Sequence, residues 1–384
     1  VDRFYFDHNA TTPVSDGVLD AMVTCLRQTC GNASSIHYYG QAAKQTLEQA
    51  RRELSDALGC LAREIVFVSG GTEADNLAIL GAARNAAHVI TTAIEHPAVI
   101  EACRELERCG CAVTCVAPGT GGAIDPVSIR RALRRETALI SVMHANNETG
   151  VVQPLEEIAA IARQAGVMMH SDGVQAFGKL PVDVRALGVD LYSISGHKIY
   201  APKGVGALYV RGGTDIHPIL RGGHHERDRR AGTENIAGAV ALATAARAAR
   251  EDLDAEARRV SGLRDRLETG VLKRIPATGV NGAGERRVPN TTNIWFDGVQ
   301  GEALVIALDL AGFAVSTGSA CSSGSVEPSH VLRAMGLSDA RARASVRFSL
   351  GRSNTAEQVD ALIEATVTAV ARLRGVSATW SARV

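Results

Sequence analysis

Ile65-Val-Phe-Val68, then Ser69-Gly-Gly71, then Thr72-Glu-Ala-Asp-Asn-Leu-Ala-Ile79 is the stretch on which the fold reading turns. A four-residue apolar run bounded by a glycine turn predicts a short buried strand, and a helix follows from about Thr72. The cadence repeats on both sides. Upstream, Leu47, Ala50, Leu54 and Leu58 recur at helical spacing until Gly59 closes the segment. Downstream come a strand over 139–143, a helix over 155–164 stopped by Gly166, and strands over 167–170, 191–195 and 206–210. Strands alternating with helices predict an α/β fold whose mostly parallel sheet is covered by helices on both faces.

Beyond about Gly232 the texture changes. An Ala/Arg-rich stretch over 235–272 predicts one or two helices with few bulky core residues. A strand over 293–296, a helix over 302–311, a strand over 314–316 and a final helix follow. Thr355 with Gln358 three residues on is a capping box for that last helix. The expected division is a large domain over 16–250 and a smaller α+β domain built from 1–15 and 251–384. The Gly/Arg-rich run 281–287 reads as an exposed turn.

Composition narrows the function. The 384 residues carry zero formal net charge, so no global basic field argues for nucleic acid or an anionic membrane. No apolar run approaches the roughly 20 residues a bilayer span needs, and residues 1–9 lack the basic-then-apolar pattern of a signal peptide. A cytoplasmic protein is expected. Eight cysteines in a chain this long do not suggest a disulfide scaffold. Cys103, Cys109, Cys111 and Cys115 lack paired ligand spacing and a histidine among them, so no metal site is expected there. They read as a helix end and a strand, and Cys25, Cys30 and Cys60 as small buried hydrophobes. Only five lysines occur (Lys44, Lys179, Lys198, Lys203 and Lys273), so chemistry needing an amine has few candidates.

In an open parallel sheet, ligands bind beyond the carboxyl ends of the strands. Gly70-Gly71-Thr72-Glu73 follows one strand and opens a helix, where N–H groups and the Thr72 hydroxyl suit a phosphate. His144-Ala-Asn146-Asn147-Glu148, Ser171-Asp172-Gly-Val-Gln175 and Ser195-Gly-His-Lys198 follow three others. Together they describe a site for a phosphorylated cofactor beside an amine. Partial burial would lower the pKa of such a lysine and suit it to Schiff-base formation. With pyridoxal phosphate as the cofactor, an acid must face the ring nitrogen, and Asp172 is the candidate. Taken singly the same residues also read as an N-cap at Ser171-Asp172, a turn at Ser195-Gly196 and a solvated lysine at 198.

A resemblance separates these readings. Tyr5-Phe-Asp-His-Asn-Ala-Thr-Thr-Pro13, Gly31-Asn-Ala-Ser-Ser-Ile-His37, Ser69-Gly-Gly-Thr-Glu-Ala-Asp-Asn76 and Glu95-His96-Pro97 resemble the cysteine desulfurase family. So do His144-Ala-Asn-Asn-Glu-Thr-Gly150, Asp172-Gly-Val-Gln-Ala176, Ser195-Gly-His-Lys198, Ala231-Gly-Thr-Glu-Asn235 and Gly318-Ser-Ala-Cys321. These motifs fall in order over nearly the whole chain. They imply the class V aminotransferase group, the fold type I architecture of pyridoxal-phosphate enzymes, and conversion of L-cysteine to L-alanine with sulfur passed to an enzyme cysteine.

The resemblance implies a role for each matching residue. Lys198 would bind the cofactor covalently, Asp172 would partner its ring nitrogen, and Gln175 and Asn147 would lie near its hydroxyl. His96 would stack on the ring and help move a proton. Gly71, Thr72, Ser195 and His197 would hold the phosphate, and Thr233 would reach the phosphate of a neighbouring subunit, which implies a homodimer. Arg347, in Ser345-Val-Arg-Phe-Ser349, would clamp the substrate carboxylate, with Arg352 as the alternative. Cys321 would be the sulfur-accepting nucleophile, carried by the small domain in a Gly/Ser-rich, flexible stretch. The long interval to Arg347 resembles the subgroup whose catalytic loop delivers sulfur to an acceptor or scaffold protein. That acceptor stays open, whether for iron–sulfur assembly, tRNA thiolation, cofactor sulfuration or DNA modification. The alternatives are a selenocysteine lyase or another aminotransferase-fold enzyme. One run departs from the pattern. Relatives carry Gly-Gly-Gly-Gln-Glu-Arg-Gly where this chain reads Gly222-Gly-His-His-Glu-Arg-Asp228, which puts the dimer edge or the site mouth in question.

Overall fold

The computed structural model describes residues 2–318 and 327–376. Its centre is a seven-stranded sheet of β1 (Ile65–Val68), β2 (His88–Thr92), β3 (Ala112–Val116), β4 (Thr137–Ser141), β5 (Met168–Asp172), β6 (Leu191–Ser195) and β7 (Gly206–Val210). The strands lie in the order β1-β7-β6-β5-β4-β2-β3. Every residue of β1, β2, β6 and β7 is buried, as expected of strands covered on both faces.

The sheet is parallel except at one side. β7 runs antiparallel to both β6 and β1. Fewer than a dozen residues separate β6 from β7, too few for a crossover helix, so the chain must return antiparallel. β1 thereby points the same way as β4, β5 and β6, and all four end on one edge. Strand boundaries shift by a residue or two from the sequence expectation: β5 reaches Asp172 itself, and β4 begins at Thr137.

The flanking helices have local causes. Tyr38–Leu58 starts where His37 Nδ1 accepts from the Gly40 N–H at 3.3 Å, and it ends at Gly59, whose φ of 72° makes a left-handed cap. The Ala/Arg-rich stretch forms two helices, Ile236–Glu251 and Leu253–Arg274. Thr355 and Gln358 make the capping box of the last helix, Ala356–Gly375.

A second layer lies beside the central sheet. β8 (Thr278–Val280), β9 (Thr291–Phe296) and β10 (Ser345–Ser349) form an antiparallel sheet with β9 in the middle. Its core joins Phe6 to Val260, Leu267, Phe296, Phe348 and Val370, separate from the core under the central sheet. The expected strand over 314–316 is only Phe313–Ala314, paired in parallel with Phe4–Tyr5, followed by a single bridge from Ser316 to Arg347.

Two further expectations need correction. Cys30 is exposed, unlike buried Cys25, and Cys109 and Cys115 are exposed too. Asn281, read as part of an exposed turn, is buried and donates to Asn293 Oδ1 at 2.7 Å and Ser345 Oγ at 2.9 Å. In the atypical run, Glu226, Arg227 and Asp228 all have left-handed φ (46°, 57° and 65°). The Glu226 carboxylate accepts two hydrogen bonds from buried Arg51, at 2.7 and 2.8 Å, which holds that turn. Among the described residues no helix is long and apolar enough to cross a membrane.

Candidate active site

The segments leaving β1, β4, β5 and β6 wall a cavity of about 390 Å³. Gly71, Thr72, Ser195 and His197 border it, and so do His96, Asn147, Asp172, Gln175, Lys198 and Arg347. Ten residues assigned from motifs far apart in sequence therefore face one space. Thr233 does not border it and is exposed, and neither His224 nor His225 lines it. Cys321 lies outside the described residues, while Gly318, just before that interval, borders the cavity. On the far side of the interval, Ser329 Oγ donates to Glu148 Oε2 at 2.5 Å, and His330 Nε2 lies 2.9 Å from the Glu95 carbonyl.

Lys198 closes a single helical turn, Gly196–Lys198, directly after β6. Its Nζ donates to the carbonyls of Asn9 and Ala10 at 2.5 and 2.8 Å. Asp172 ends β5, and its Oδ1 accepts from the Val174 N–H at 2.9 Å. Burial raises its pKa and nearby Asp75 adds to the effect, against the pull of His96. A cationic partner in the cavity would reverse that shift. Among the described residues the Ser195 hydroxyl is buried without a hydrogen-bond partner, which suits it to donate to an incoming acceptor such as a phosphate oxygen.

His96 caps the helix Pro97–Arg108, its Nδ1 accepting from the Ala98 N–H at 3.1 Å. That bond occupies the Nδ1 lone pair, so the ring of the neutral tautomer carries its proton on Nε2. Burial lowers the His96 pKa, partly offset by Asp172. His197 is pushed down to about 4 by burial, then by Lys198 and Lys203, and is neutral at physiological pH.

Arg347 sits on β10, 3% exposed. Its guanidinium donates to Asp7 Oδ1 at 2.6 Å and to the Asn147 carbonyl at 3.0 Å, while its buried Nε–H has no partner among the described residues. Arg352 stacks over the Tyr200 ring at 5.0 Å and borders a different, smaller cavity behind Lys198. Of the two arginines, Arg347 faces the space that Lys198 and Asp172 share.

Several site residues carried no assigned role in the sequence. Asp7 pairs with Arg347. Asn9 is a hub: its Nδ2 donates to Thr291 Oγ1 at 2.8 Å, and its carbonyl accepts from Lys198 and Gln175. Glu95 is fully buried. Its Oε1 accepts from Thr92 Oγ1 at 2.6 Å and the Met143 N–H at 2.9 Å, and its Oε2 has no partner among the described residues. Burial pushes its pKa up to about 8, with Asp172 and Asp75 adding to the rise.

Glu95 is thus a neutral acid in the folded state at pH 7, and it ionises in the unfolded chain above its ordinary value of 4.5. Folding then takes up a proton, and stability falls as pH rises from there to about 8. Glu95→Gln keeps the accepting oxygen and cannot ionise. Its stability relative to wild type should rise with pH across that window by up to about 1.4 kcal/mol per pH unit. Denaturant melts at pH 5.5, 7 and 8.5 would show this; a difference that does not change with pH would mean Glu95 is ionised in the fold.

Comparison with known proteins adds a separate line. The family model described as Aminotransferase class-V matches residues 4–362. A curated cysteine desulfurase of Gluconacetobacter diazotrophicus is 47% identical over 385 aligned positions, covering 99% of this chain and 96% of that protein. A solved structure titled as a NifS-like protein superposes with a TM-score of 0.90 at 34% identity, covering 96% of this chain and 100% of the other. SspA, solved in complex with cysteine, superposes at 0.80 with 36% identity, covering 90% and 98% of the two chains.

Proposed function

The chain belongs to the class-V aminotransferase family and within it to the cysteine desulfurases, and from that premise we propose how its own residues divide the removal of sulfur from L-cysteine. The observation that carries the reading is the shared cavity, bordered by one lysine, a buried carboxylate and an arginine.

The residues present fit pyridoxal phosphate. The cavity lies within the 300–1,000 Å³ range usual for small-molecule sites. The unpartnered Ser195 hydroxyl, the helix start at Gly71-Thr72 and neutral His197 supply donors for a phosphate. Asp172 would hold the ring nitrogen, Gln175 and Asn147 would lie near the ring hydroxyl, and His96 would cover a face. Bound there, the cofactor supplies an electron sink for charge developing at the substrate α-carbon.

Lys198 would hold the cofactor, and its amine, when free, would take the substrate α-proton. The Asn9 and Ala10 carbonyls hold its Nζ beside the cavity. Arg347 would receive the substrate carboxylate with its guanidinium, braced by Asp7. The Cys321 thiolate forms a bond to the substrate sulfur as the Cβ–S bond breaks. The electron pair stays on the three-carbon fragment, which takes up one proton at Cβ, regains the α-proton from Lys198 and leaves as alanine. Cys321 keeps the sulfur as a persulfide for an acceptor protein. His96, with its Nδ1 occupied and its proton on Nε2, would act there as a donor to sulfur and not as the base that ionises Cys321.

The same proposal divides the chain into a cofactor-binding domain, 16–250, and a smaller domain, 1–15 with 251–384. Two separate cores support the division, although Val331, Leu332 and Met335 pack into the first core. It also makes the working unit a cytoplasmic homodimer in which exposed Thr233 reaches the other subunit's phosphate.

The arginine assignment has a direct test. Arg347→Ala should raise KM for cysteine by roughly 10- to 100-fold, as expected for loss of a charged hydrogen bond, while the cofactor's visible absorbance persists. Arg352→Ala should change KM by less than about threefold, consistent with its location outside the cavity. The reverse pattern would reassign the clamp.

A further inference from the structure

Two of the chain's five lysines meet at one asparagine. Lys198 Nζ donates to the Asn9 carbonyl at 2.5 Å, and Lys179 Nζ donates to Asn9 Oδ1 at 3.2 Å. Lys179 also donates to Gln175 Oε1 at 2.7 Å, and Gln175 Nε2 donates to the Asn9 carbonyl at 3.0 Å. The two ends of the Gln175 carboxamide are thus told apart. Its oxygen is tied to an amine and one N–H to a carbonyl; a second N–H remains, and Gln175 borders the cavity.

A flipped Gln175 amide would set its oxygen against the Asn9 carbonyl and turn its NH2 to the Lys179 amine. Without Lys179 that flip costs less, because only the Asn9 carbonyl then tells apart two ends of nearly the same size. The Asn9 side chain cannot take over: its Oδ1 already accepts from Asn290 Nδ2 at 3.0 Å, and its Nδ2 is committed to Thr291. Burial lowers the Lys179 pKa well below the usual lysine range, and Lys198 lowers it further. A neutral amine still keeps two N–H groups, enough for the two acceptors seen here.

We propose that Lys179 is a positioning residue for the reaction, one that holds Gln175 with its N–H rather than its carbonyl toward the cofactor's ring hydroxyl. The proposal rests on the reading that Gln175 faces that hydroxyl. A donor there favours the deprotonated ring oxygen and so lowers the pH at which the bound cofactor's visible band changes. Acting through Gln175, Lys179 affects turnover more than substrate binding.

The test is a pH titration of the visible band in purified holoenzyme, in a double-mutant cycle. Gln175→Ala should raise the midpoint by about 0.5–1 pH unit, the size of one lost hydrogen bond. Lys179→Met should raise it by a similar amount and lower kcat, with KM for cysteine changed less than about threefold. The double variant should match Gln175→Ala alone, because a residue acting through another adds nothing once that other is gone. Additive shifts would mean that Lys179 acts by its charge, and an unshifted Lys179→Met beside a shifted Gln175→Ala would mean that it does not orient the amide; either overturns the proposal. An unshifted Gln175→Ala overturns the reading of Gln175 and the proposal with it. If Lys179→Met fails to fold, Lys179→Gln keeps one N–H donor and should recover at least half of the shift; a midpoint displaced as far as in Gln175→Ala overturns the proposal.

Discussion

Lys198→Ala is expected to lose covalent retention of pyridoxal phosphate and to lower cysteine-dependent alanine formation by roughly 10³-fold or more, because in the proposed mechanism one amine serves both as cofactor anchor and as base. The geometry behind the expectation is specific. Lys198 follows β6 by one short turn, and the Asn9 and Ala10 carbonyls hold its Nζ at the rim of the cavity that Asp172 borders. Lys179 is the other amine nearby, but its Nζ is engaged by Gln175 and Asn9 and it borders the smaller cavity instead. Reducing the holoenzyme with borohydride and mapping peptides by mass spectrometry should place the label on Lys198. A label on Lys179 or Lys203 would reassign the anchor and with it the site's orientation.

Cys321→Ser should have an effect of comparable size by a different route. The variant keeps Lys198, Asp172 and Arg347, so cofactor binding and the spectral response to added cysteine should be those of wild type. Alanine and sulfide formation should nevertheless fall by about 10²-fold or more, because a serine hydroxyl is barely ionised at neutral pH and attacks sulfur poorly. A free thiol with its ordinary pKa near 8.5 already has a few per cent of thiolate at pH 7. Near-normal turnover in the serine variant would mean that sulfur leaves by elimination. The selenocysteine lyase alternative is checked in the same assay by comparing kcat/KM for cysteine and selenocysteine.

What the sequence disclosed follows the range of each interaction. The strands β1 and β7 were legible as apolar runs because burial on both faces removes polar residues from them. The direction of β7 does not show in its composition, which is that of a parallel strand; only the short interval after β6 encodes it. Lys198, Asp172, Ser195 and Thr72 were legible as polar groups immediately after strands. Asp7 and Asn9 received no role, although Tyr5 to Pro13 was recognised as a motif. Their functions depend on Arg347 and Lys198, 340 and 189 residues away along the chain, which no periodicity records. Glu95 and Asp75 were silent for another reason: a carboxyl on a helix or after a strand looks solvated until packing removes its water. Arg347 and Arg352, five residues apart in sequence, could be separated only once β10 turned one toward the cavity and Tyr200 held the other away.

The claim that sulfur passes from cysteine to Cys321 is tested most directly by mass. Holoenzyme mixed with L-cysteine without reductant, quenched, digested and mapped should gain one sulfur atom, about 32 Da, on the peptide containing Cys321, as expected of a reactive thiolate. Exposed Cys30, Cys109 and Cys115 serve as internal controls and should stay unmodified. Full alanine production with no added sulfur on Cys321, or with sulfur on the control cysteines instead, would contradict the account.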